Sequence, residues 1–286
     1  MGCRVGRALT AMLIVSLALL RALPAHAFSA PATKPLEDLL DRGDPYETYA
    51  IVSGYEIAAT RLKGFAACLP EVLVRVSGEP RLAQDPRVAA LAAQAASLVD
   101  SWDYSDFLVR MGPVHDDQGT GPDRPYDLVV RFDPAKIDAA LRDLGVAPWK
   151  GKRPEVVPVL AVTGFTGTYL LSAEVTAGAA QRGSLAVAAT EYGLPLHVPD
   201  EAELEAWGVT MAASFPAPRA ASDDARAIVA GTLRFDEAKP GWVGSWRMRW
   251  HGADYAWGVS GVNYDAAFRS LMSGVARIAA GRGAPE

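Results

Sequence analysis

Apolar and polar residues alternate along several short segments of the chain, and this pattern predicts β-strands. In the first half, the segment 49–58 places four large apolar side chains on one face. The segments 107–114 and 126–133 predict two further strands. The first half therefore contains three predicted strands, separated by stretches with a different period.

Those stretches repeat their apolar residues at helical spacing. The segment 60–78 predicts one helix, although Pro70 inside it is expected to kink the helix or split it in two. A second helix is predicted over 87–101. A third begins at Asp133, which suits an N-terminal cap, and ends at Gly145. The order β-α-α-β-β-α results.

The second half begins with an apolar segment, EVVPVLAV, which predicts a buried strand. A helix over 172–192, a short strand over 196–199 and a short helix over 200–207 follow. Three strands with short connections then predict an antiparallel meander, over 225–235, 241–250 and 254–262. A terminal helix begins at Asn263, so the order is β-α-β-α-β-β-β-α.

These elements predict an α/β protein of mixed α+β type with two small domains, each a mixed or antiparallel sheet packed with helices. The first domain is predicted over 47–145 and the second over 155–282. The linker 146–154 contains a Gly-Lys pair that suggests a phosphate-binding loop. That loop needs G-x-x-x-x-G-K-[ST] between a strand and a helix, and here the spacing, the residue after Lys152 and the element order all differ. We therefore interpret 146–154 as a domain joint.

Three tryptophans, Trp242, Trp246 and Trp250, share one face of a predicted strand, and the two arginines between Trp246 and Trp250 point to the other face. An exposed row could stack on sugar rings, on a partner's side chains or on single-stranded RNA. A buried row would pack under the terminal helix, which needs an apolar surface. We favour the buried row. If a groove remains, Trp242 or Trp257 is expected to line it.

The beginning of the chain has the pattern of a secretory signal peptide over 1–27. Two arginines precede an apolar segment, 8–20, that is too short to span a bilayer, and Ala-His-Ala precedes the expected cleavage site. The mature chain is expected to start at Phe28 with a flexible leader, 28–46. No later segment is long and apolar enough for a membrane span. We therefore predict a periplasmic protein with no stable membrane span after cleavage.

Net charge and cysteine content exclude some classes of protein. The formal charge of −5 becomes −8 when the three arginines of the signal segment are removed. An acidic exported chain is a poor nucleic-acid binder, because that affinity depends on neutralising phosphates. Only Cys68 remains after cleavage, so no internal disulfide forms, and we expect this thiol to be an unreactive packing residue.

The sequence contains no recognisable catalytic or metal-binding motif, and we predict no catalytic residue, metal or cofactor. It lacks G-x-S-x-G, S-x-x-K and H-E-x-x-H. His115, His197 and His251 lie far apart in different elements. The segment 115–127 has partial calcium-loop spacing, but glutamine and threonine are weak ligands and two prolines interrupt it. A plain loop between two strands fits 115–127 better.

Several segments resemble the DUF2066 family of exported bacterial proteins of unknown function. The resemblance rests on YAIVSGYEI, LPEVLVRVSG, YDLVVRFDPAKIDAALRDLGVAPW with KRPEVVPVLAV, IVAGTLRF, GWVGSWRMRW and WGVSG. These motifs are structural in character. The resemblance implies an envelope location and two α/β units, but no activity and no functional residues.

We interpret the chain as a non-catalytic periplasmic binding or accessory protein in cell-envelope assembly or maintenance, whose partner is another envelope protein. The alternative is a small-ligand or glycan binder at the domain joint. The candidate ligand-binding residues are Trp149, Lys150, Lys152, Arg153, Trp242 and Trp257. A third hypothesis, an unrecognised hydrolase, requires titratable residues that converge in one pocket.

Overall fold

The structure, a computed structural model, describes residues 32–285 except 42, 113–122, 166, 175, 211–220 and 239. It confirms the α/β class, because helices pack on two separate sheets. The strands are β1 (Glu47–Ser53), β2 (Val99–Asp106), β3 (Pro125–Phe132), β4 (Glu155–Gly164), β5 (Gly167–Leu170), β6 (Arg226–Asp236), β7 (Gly241–Trp250) and β8 (Ala253–Val262). The helices are α1 (Leu36–Leu39), α2 (Ala58–Ser77), α3 (Pro86–Ala92), α4 (Phe107–Met111), α5 (Pro134–Asp143), α6 (Ala179–Glu191), α7 (Glu201–Ala206) and α8 (Tyr264–Ala279), with short 3₁₀ turns at Pro80–Gln84 and Ala95–Ser97.

The first sheet has three strands in the order β1-β3-β2, and both pairings are antiparallel. The long helix α2 packs on one face of this sheet. Gly64 lets α2 approach closely, since a Cβ there would come within 2.6 Å of Leu128 and 2.9 Å of Val52. Leu69, Leu73 and other buried residues of α2 complete this core with the central strand β3.

The second sheet has five strands in the order β5-β4-β6-β7-β8. β4 and β6 are parallel, and the other pairs are antiparallel. The helices α6 and α8 cover one face of the sheet, where Leu185 and Phe268 are fully buried. On the other face, α7 and Val209 cover only the part formed by β4 and β6. Among the described residues, no helix covers the part of that second face formed by β7 and β8.

Two tryptophans of the row, Trp246 and Trp250, belong to the core, as expected, and Trp242 is half-buried against it. Trp246 is 1% exposed, and Trp250 and Trp257 are also buried, in the same cluster as Phe268. Trp246 contacts the backbone at two glycines, because a Cβ on Gly231 or on Gly244 would come within 2.4 Å of its ring. The size of the Trp246 indole thus requires glycine at both neighbouring positions.

The strand predicted over 107–114 is wrong. The carboxylate of Asp106 accepts hydrogen bonds from the backbone N–H groups of Leu108 and Val109, so the helix α4 starts directly after β2. The third strand of this unit is instead β2. The helix predicted over 87–101 is correspondingly too long, since α3 ends at Ala92 and the chain enters β2 at Val99.

Two predictions for the second unit also need correction, and one strand was missed. The helix α6 begins at Ala179 and not at 172, because Gly178 precedes it in a left-handed conformation. The hairpin strand β5 was not predicted. The strand predicted over 196–199 is reduced to one bridge between Val156 and Leu196, since the flanking prolines Pro195 and Pro199 have no N–H to donate to a strand neighbour.

The structure also bears on two other predictions, that Pro70 kinks or splits its helix and that the leader is flexible. Pro70 does not divide α2, which runs unbroken from Ala58 to Ser77. The expected flexible leader contains α1, whose Leu36 and Leu39 are buried against Val129, so this part of the leader is packed. The predicted signal segment 1–27 and most of the predicted 115–127 loop, with His115, lie outside the described residues.

We predict that Gly231→Ala destabilises the protein by about 1–3 kcal/mol, because the new methyl group overpacks the core. The Cβ would meet the Trp246 ring at 2.4 Å and the Ser245 carbonyl oxygen at 2.8 Å. Urea unfolding measures the change. In the control, Gly183→Ala within α6, the Cβ meets nothing within 4 Å, so we expect a gain of up to about 1 kcal/mol from helix propensity. Equal stability of the two variants would contradict this packing.

Candidate functional site

The C-terminal end of α2 lies at the joint between the two sheets, where all four of its last carbonyl groups are hydrogen-bonded. Such carbonyls have no partner within their own helix. The carbonyl of residue 74 accepts from the backbone N–H of Gly78, and that of residue 76 accepts from the N–H of Trp149. The carbonyl of residue 75 accepts from the Arg153 guanidinium, and that of residue 77 accepts from the Arg282 guanidinium. Residues beyond the first unit therefore complete the end of its main helix.

The C-terminal end of α6 meets the same joint. Its last carbonyl, that of Glu191, accepts a hydrogen bond from Nε of Arg75 at 3.4 Å, and the next carbonyl, that of Tyr192, accepts one from Arg153 at 3.1 Å. Burial, together with repulsion from Arg75, lowers the pKa of Arg153 to about 10. Arg153 still carries its charge at neutral pH, which suits a position between the negative ends of two helix dipoles.

The side chains expected at the rim of a ligand site mostly have structural partners at this joint. The Arg153 guanidinium stacks on Trp149 at 4.3 Å. Lys150 Nζ lies 2.6 Å from an Asp138 carboxylate oxygen and 3.1 Å from the Tyr46 hydroxyl. Lys152 is exposed. These contacts explain three of the four residues as parts of the joint, and no described contact favours a glycan or another small ligand there.

The other two candidate residues pack under α8. The Trp257 indole N–H donates to the Ser270 carbonyl at 3.0 Å, and its ring fills the space beside Gly274. Trp242 is half-buried at the end of β7 and contacts Tyr264 edge-on, with ring centroids 6.1 Å apart. The structure thus separates Trp242 and Trp257 from the joint residues, and the six candidates do not form one site.

The titratable residues give no catalytic arrangement within the described part of the chain. His197 Nε2 lies 2.7 Å from Glu203, but Glu203 belongs to the capping box of α7 and no hydroxyl is bonded to this histidine. Cys68 is buried, and burial raises the pKa of its thiol, which agrees with an unreactive packing role. Across residues 32–285 outside the gaps, no three His, Cys, Asp or Glu side chains are grouped to hold a metal ion.

The open part of the second sheet forms a concave surface on β6, β7 and β8. Residues on this face form cross-strand rows. One row is Ala230–Arg247–Ala256, and the next is Thr232–Ser245–Gly258. We call this surface the open sheet face. Most of its side chains are small, so the strands form a shallow floor from which Arg247 projects.

Two adjoining cavities of about 620 and 600 Å³ lie on the open sheet face and share Arg247 and Ala256. Arg249 and His251 line the larger one. The Arg249 guanidinium is highly exposed and lies 3.8 Å from the exposed Asp254, a weak surface pair. This groove therefore presents two arginines and a histidine over a floor of small residues, with Asp254 beside Arg249 and the exposed Asp224 3.5 Å from His251.

The sequence contained part of the signal for this groove. The alternation that put the tryptophans on one face placed Arg247 and Arg249 on the other. Two features were not foreseen. His251 and Gly252 both have positive φ angles, 47° and 80°, and form the tight turn between β7 and β8. The short helix α7 covers only half of the face, and sequence periodicity does not reveal how far a helix reaches across a sheet.

Comparison with known proteins gives one match. Residues 42–150 match a family model described as a domain of unknown function (DUF8605), which spans the first sheet and stops at the joint. The DUF2066 resemblance is therefore wrong, since that family does not match and the motifs behind it were buried strands and capped helices, which many α/β proteins share. No curated protein and no solved structure matches the chain.

None of the helices that the structure describes combines the length and the apolar character that crossing a bilayer requires.

We predict that Arg277→Ala destabilises the protein by about 3 kcal/mol or more. Arg277 on α8 forms a largely buried ion pair with Glu79, which follows α2, and removing one partner leaves a buried charge without compensation. Arg269→Ala on the same helix is the matched control. Its pair with Glu191 is more exposed, so we expect a loss of at most about 1 kcal/mol. Thermal and urea unfolding distinguish the two, and equal losses would refute a stabilising role for the Arg277 pair.

Proposed function

We propose that the chain is a non-catalytic periplasmic protein that acts as an accessory factor in cell-envelope assembly or maintenance. In this proposal, it binds an acidic segment of another envelope protein on the open sheet face. The observation that carries the proposal is the groove itself, in which Arg247, Arg249 and His251 stand beside a floor of small side chains. The export signal in the sequence supports the location.

Charge and shape support an acidic polypeptide as the bound partner. The floor residues Ala230, Thr232 and Ala256 leave room for a backbone to approach the sheet. Arginine donates to carboxylates in a fixed, bidentate geometry, so it suits glutamate and aspartate side chains. Asp254, the carboxylate nearest to Arg249, is highly exposed and 3.8 Å away. A partner's carboxylate can therefore displace it at little cost.

We predict that the full chain binds a labelled glutamate-rich peptide in fluorescence anisotropy and binds the glutamine counterpart at least about tenfold more weakly. The Arg247→Glu/Arg249→Glu double variant should lose about tenfold or more in affinity, because each reversal replaces an attraction of up to about 1 kcal/mol by a repulsion. Added salt should weaken the binding, since these charges are exposed.

Arg142→Glu is the matched control, because Arg142 is exposed on α5 in the first unit. It changes the net charge in the same direction but lies away from the groove, so its affinity should stay near that of the parent. Used as bait in envelope extracts, the parent and the Arg142→Glu control should capture the same partner. The double variant should not capture it. Equal capture by the double variant would show that the partner does not bind in the groove.

We predict that expression of the whole chain in a Gram-negative host yields a periplasmic protein whose N-terminus is Phe28. Cleavage is expected after Ala27 because Ala25 and Ala27 are the small residues that signal peptidase requires. N-terminal sequencing after cell fractionation measures this. An intact N-terminus in the cytoplasmic fraction would contradict the proposed location.

A further inference from the structure

The strand β8 forms one edge of the second sheet, and its free side has few of the features that keep other strands away. In the part of the chain that the structure describes, β7 is its only strand neighbour. The strand is ten residues long, contains no lysine and no proline, and Asp254 is its one charged residue. Proteins usually protect an edge strand with such residues or keep it short. The opposite edge of the same sheet, β5, has four residues.

The turn before β8 determines which backbone groups point to the free side. Trp250 pairs with Ala253 across a two-residue turn, and the residues that flank such a turn exchange both of their hydrogen bonds. Bonded and non-bonded pairs alternate along an antiparallel ladder, so every second residue of β8 from Ala253 onward bonds to β7. The N–H and C=O groups of the residues between them point away from β7. These residues are Asp254, Ala256, Gly258 and Ser260, and all four are exposed.

The four outward-pointing residues are arranged symmetrically about Trp257. If two copies of β8 lie antiparallel about a two-fold axis at Trp257, Asp254 pairs with Ser260 of the second copy. Ala256 then pairs with Gly258 of the second copy. Every outward N–H group in both copies meets a carbonyl group in this register. The strand is regular over the whole range, because its register against β7 shifts only beyond Ser260.

The side chains that this pairing brings together are compatible on both sides of the sheet. On the open sheet face, the carboxylate of Asp254 meets a serine hydroxyl, so no like charges are opposed. On the helix side, Tyr255 lies opposite Val259 of the second copy, and both residues are half-buried against the core. An aromatic ring beside a β-branched side chain is a favourable cross-strand pair. The pairing therefore buries apolar surface that α8 leaves partly uncovered.

We propose that two copies of the chain form a dimer by pairing their β8 strands antiparallel, with the two-fold axis at Trp257. Two five-stranded sheets then join into one continuous sheet. The axis is perpendicular to the sheet, so the two open sheet faces lie on the same side and form one wider surface. A two-fold contact must be self-complementary, and the distribution of charge and side-chain size along β8 meets that requirement. The dimer does not depend on the acidic partner proposed above.

The test is sedimentation equilibrium of the full chain over a range of protein concentrations, in which we expect a reversible dimer. Ala256→Pro removes an outward N–H without removing a bond to β7, and its ring blocks the facing carbonyl of the second copy. This variant should stay monomeric at concentrations where the parent is dimeric. Ala256→Ser keeps the N–H and the small side chain, so as the matched control it should dimerise like the parent.

Substitutions of Ser260 test the register of the pairing. Ser260→Asp should weaken the dimer by about tenfold, because each dimer then contains two opposed carboxylate pairs with Asp254. Ser260→Lys should strengthen the dimer by about the same factor for the opposite reason, although a lysine on an edge strand ordinarily discourages pairing. Ser260 is exposed, so both variants should fold, and circular dichroism verifies this.

Three results would overturn the proposal. They are a parent that is monomeric at every concentration, an Ala256→Pro variant that dimerises like the parent, and Ser260 variants whose dimer affinities do not change in opposite directions. Should Ala256→Pro fail to fold, the two Ser260 variants decide. A monomeric parent that still binds the glutamate-rich peptide would reject the dimer and leave the proposed function intact.

Discussion

The structure depends on how the ends of two helices are satisfied at one joint. The helices α2 and α6 belong to different sheets, and their C-terminal carbonyls meet where Arg75 and Arg153 lie. A helix end without partners is costly when it is buried. Because these two arginines donate to carbonyls from both units, each unit completes the other. This shared set of hydrogen bonds, together with Tyr192, which packs against both cores, connects the two sheets.

The same constraint gives the basic residues of the linker structural roles at the joint. Arg153 sits in a Gly-Lys-Arg sequence that suggests an anion site, and in the fold it does bind negative groups. Those groups are carbonyl oxygens of the protein itself. The open sheet face is the contrasting case, because Arg247 and Arg249 project over small residues, and no helix of the described chain covers them. Position relative to the helices, and not residue type, separates the two sets of arginines.

Much of the fold could be predicted from the sequence, because local signals and tertiary packing agreed. The cap at Asp133 and the meander that ends in α8 are examples. The strand β2 was missed, since it is a polar edge strand whose alternation rests on Trp102 and Tyr104 alone. Asp106 held the signal for α4, as an N-terminal cap before an apolar run.

The candidate site was harder to predict than the fold. The alternation in β7 showed which side chains share a face, but only the placement of α7 and α8 decides which face is open. The Tyr126 hydroxyl, which is buried with no hydrogen-bond partner among the described residues, illustrates the same limit, because a missing partner is a property of three-dimensional surroundings. No spacing in the sequence marks such an absence.

The end of α2 has a further consequence for what counts as a module in this protein. The segment that matches the family model stops at residue 150, before Arg153 and Arg282 are reached. Those two residues hold the carbonyls of residues 75 and 77. Cut at the family boundary, the first sheet would keep its core but lose half of the closure of its longest helix. The boundary of the family match therefore does not coincide with the boundary of the hydrogen-bonded structure that closes α2.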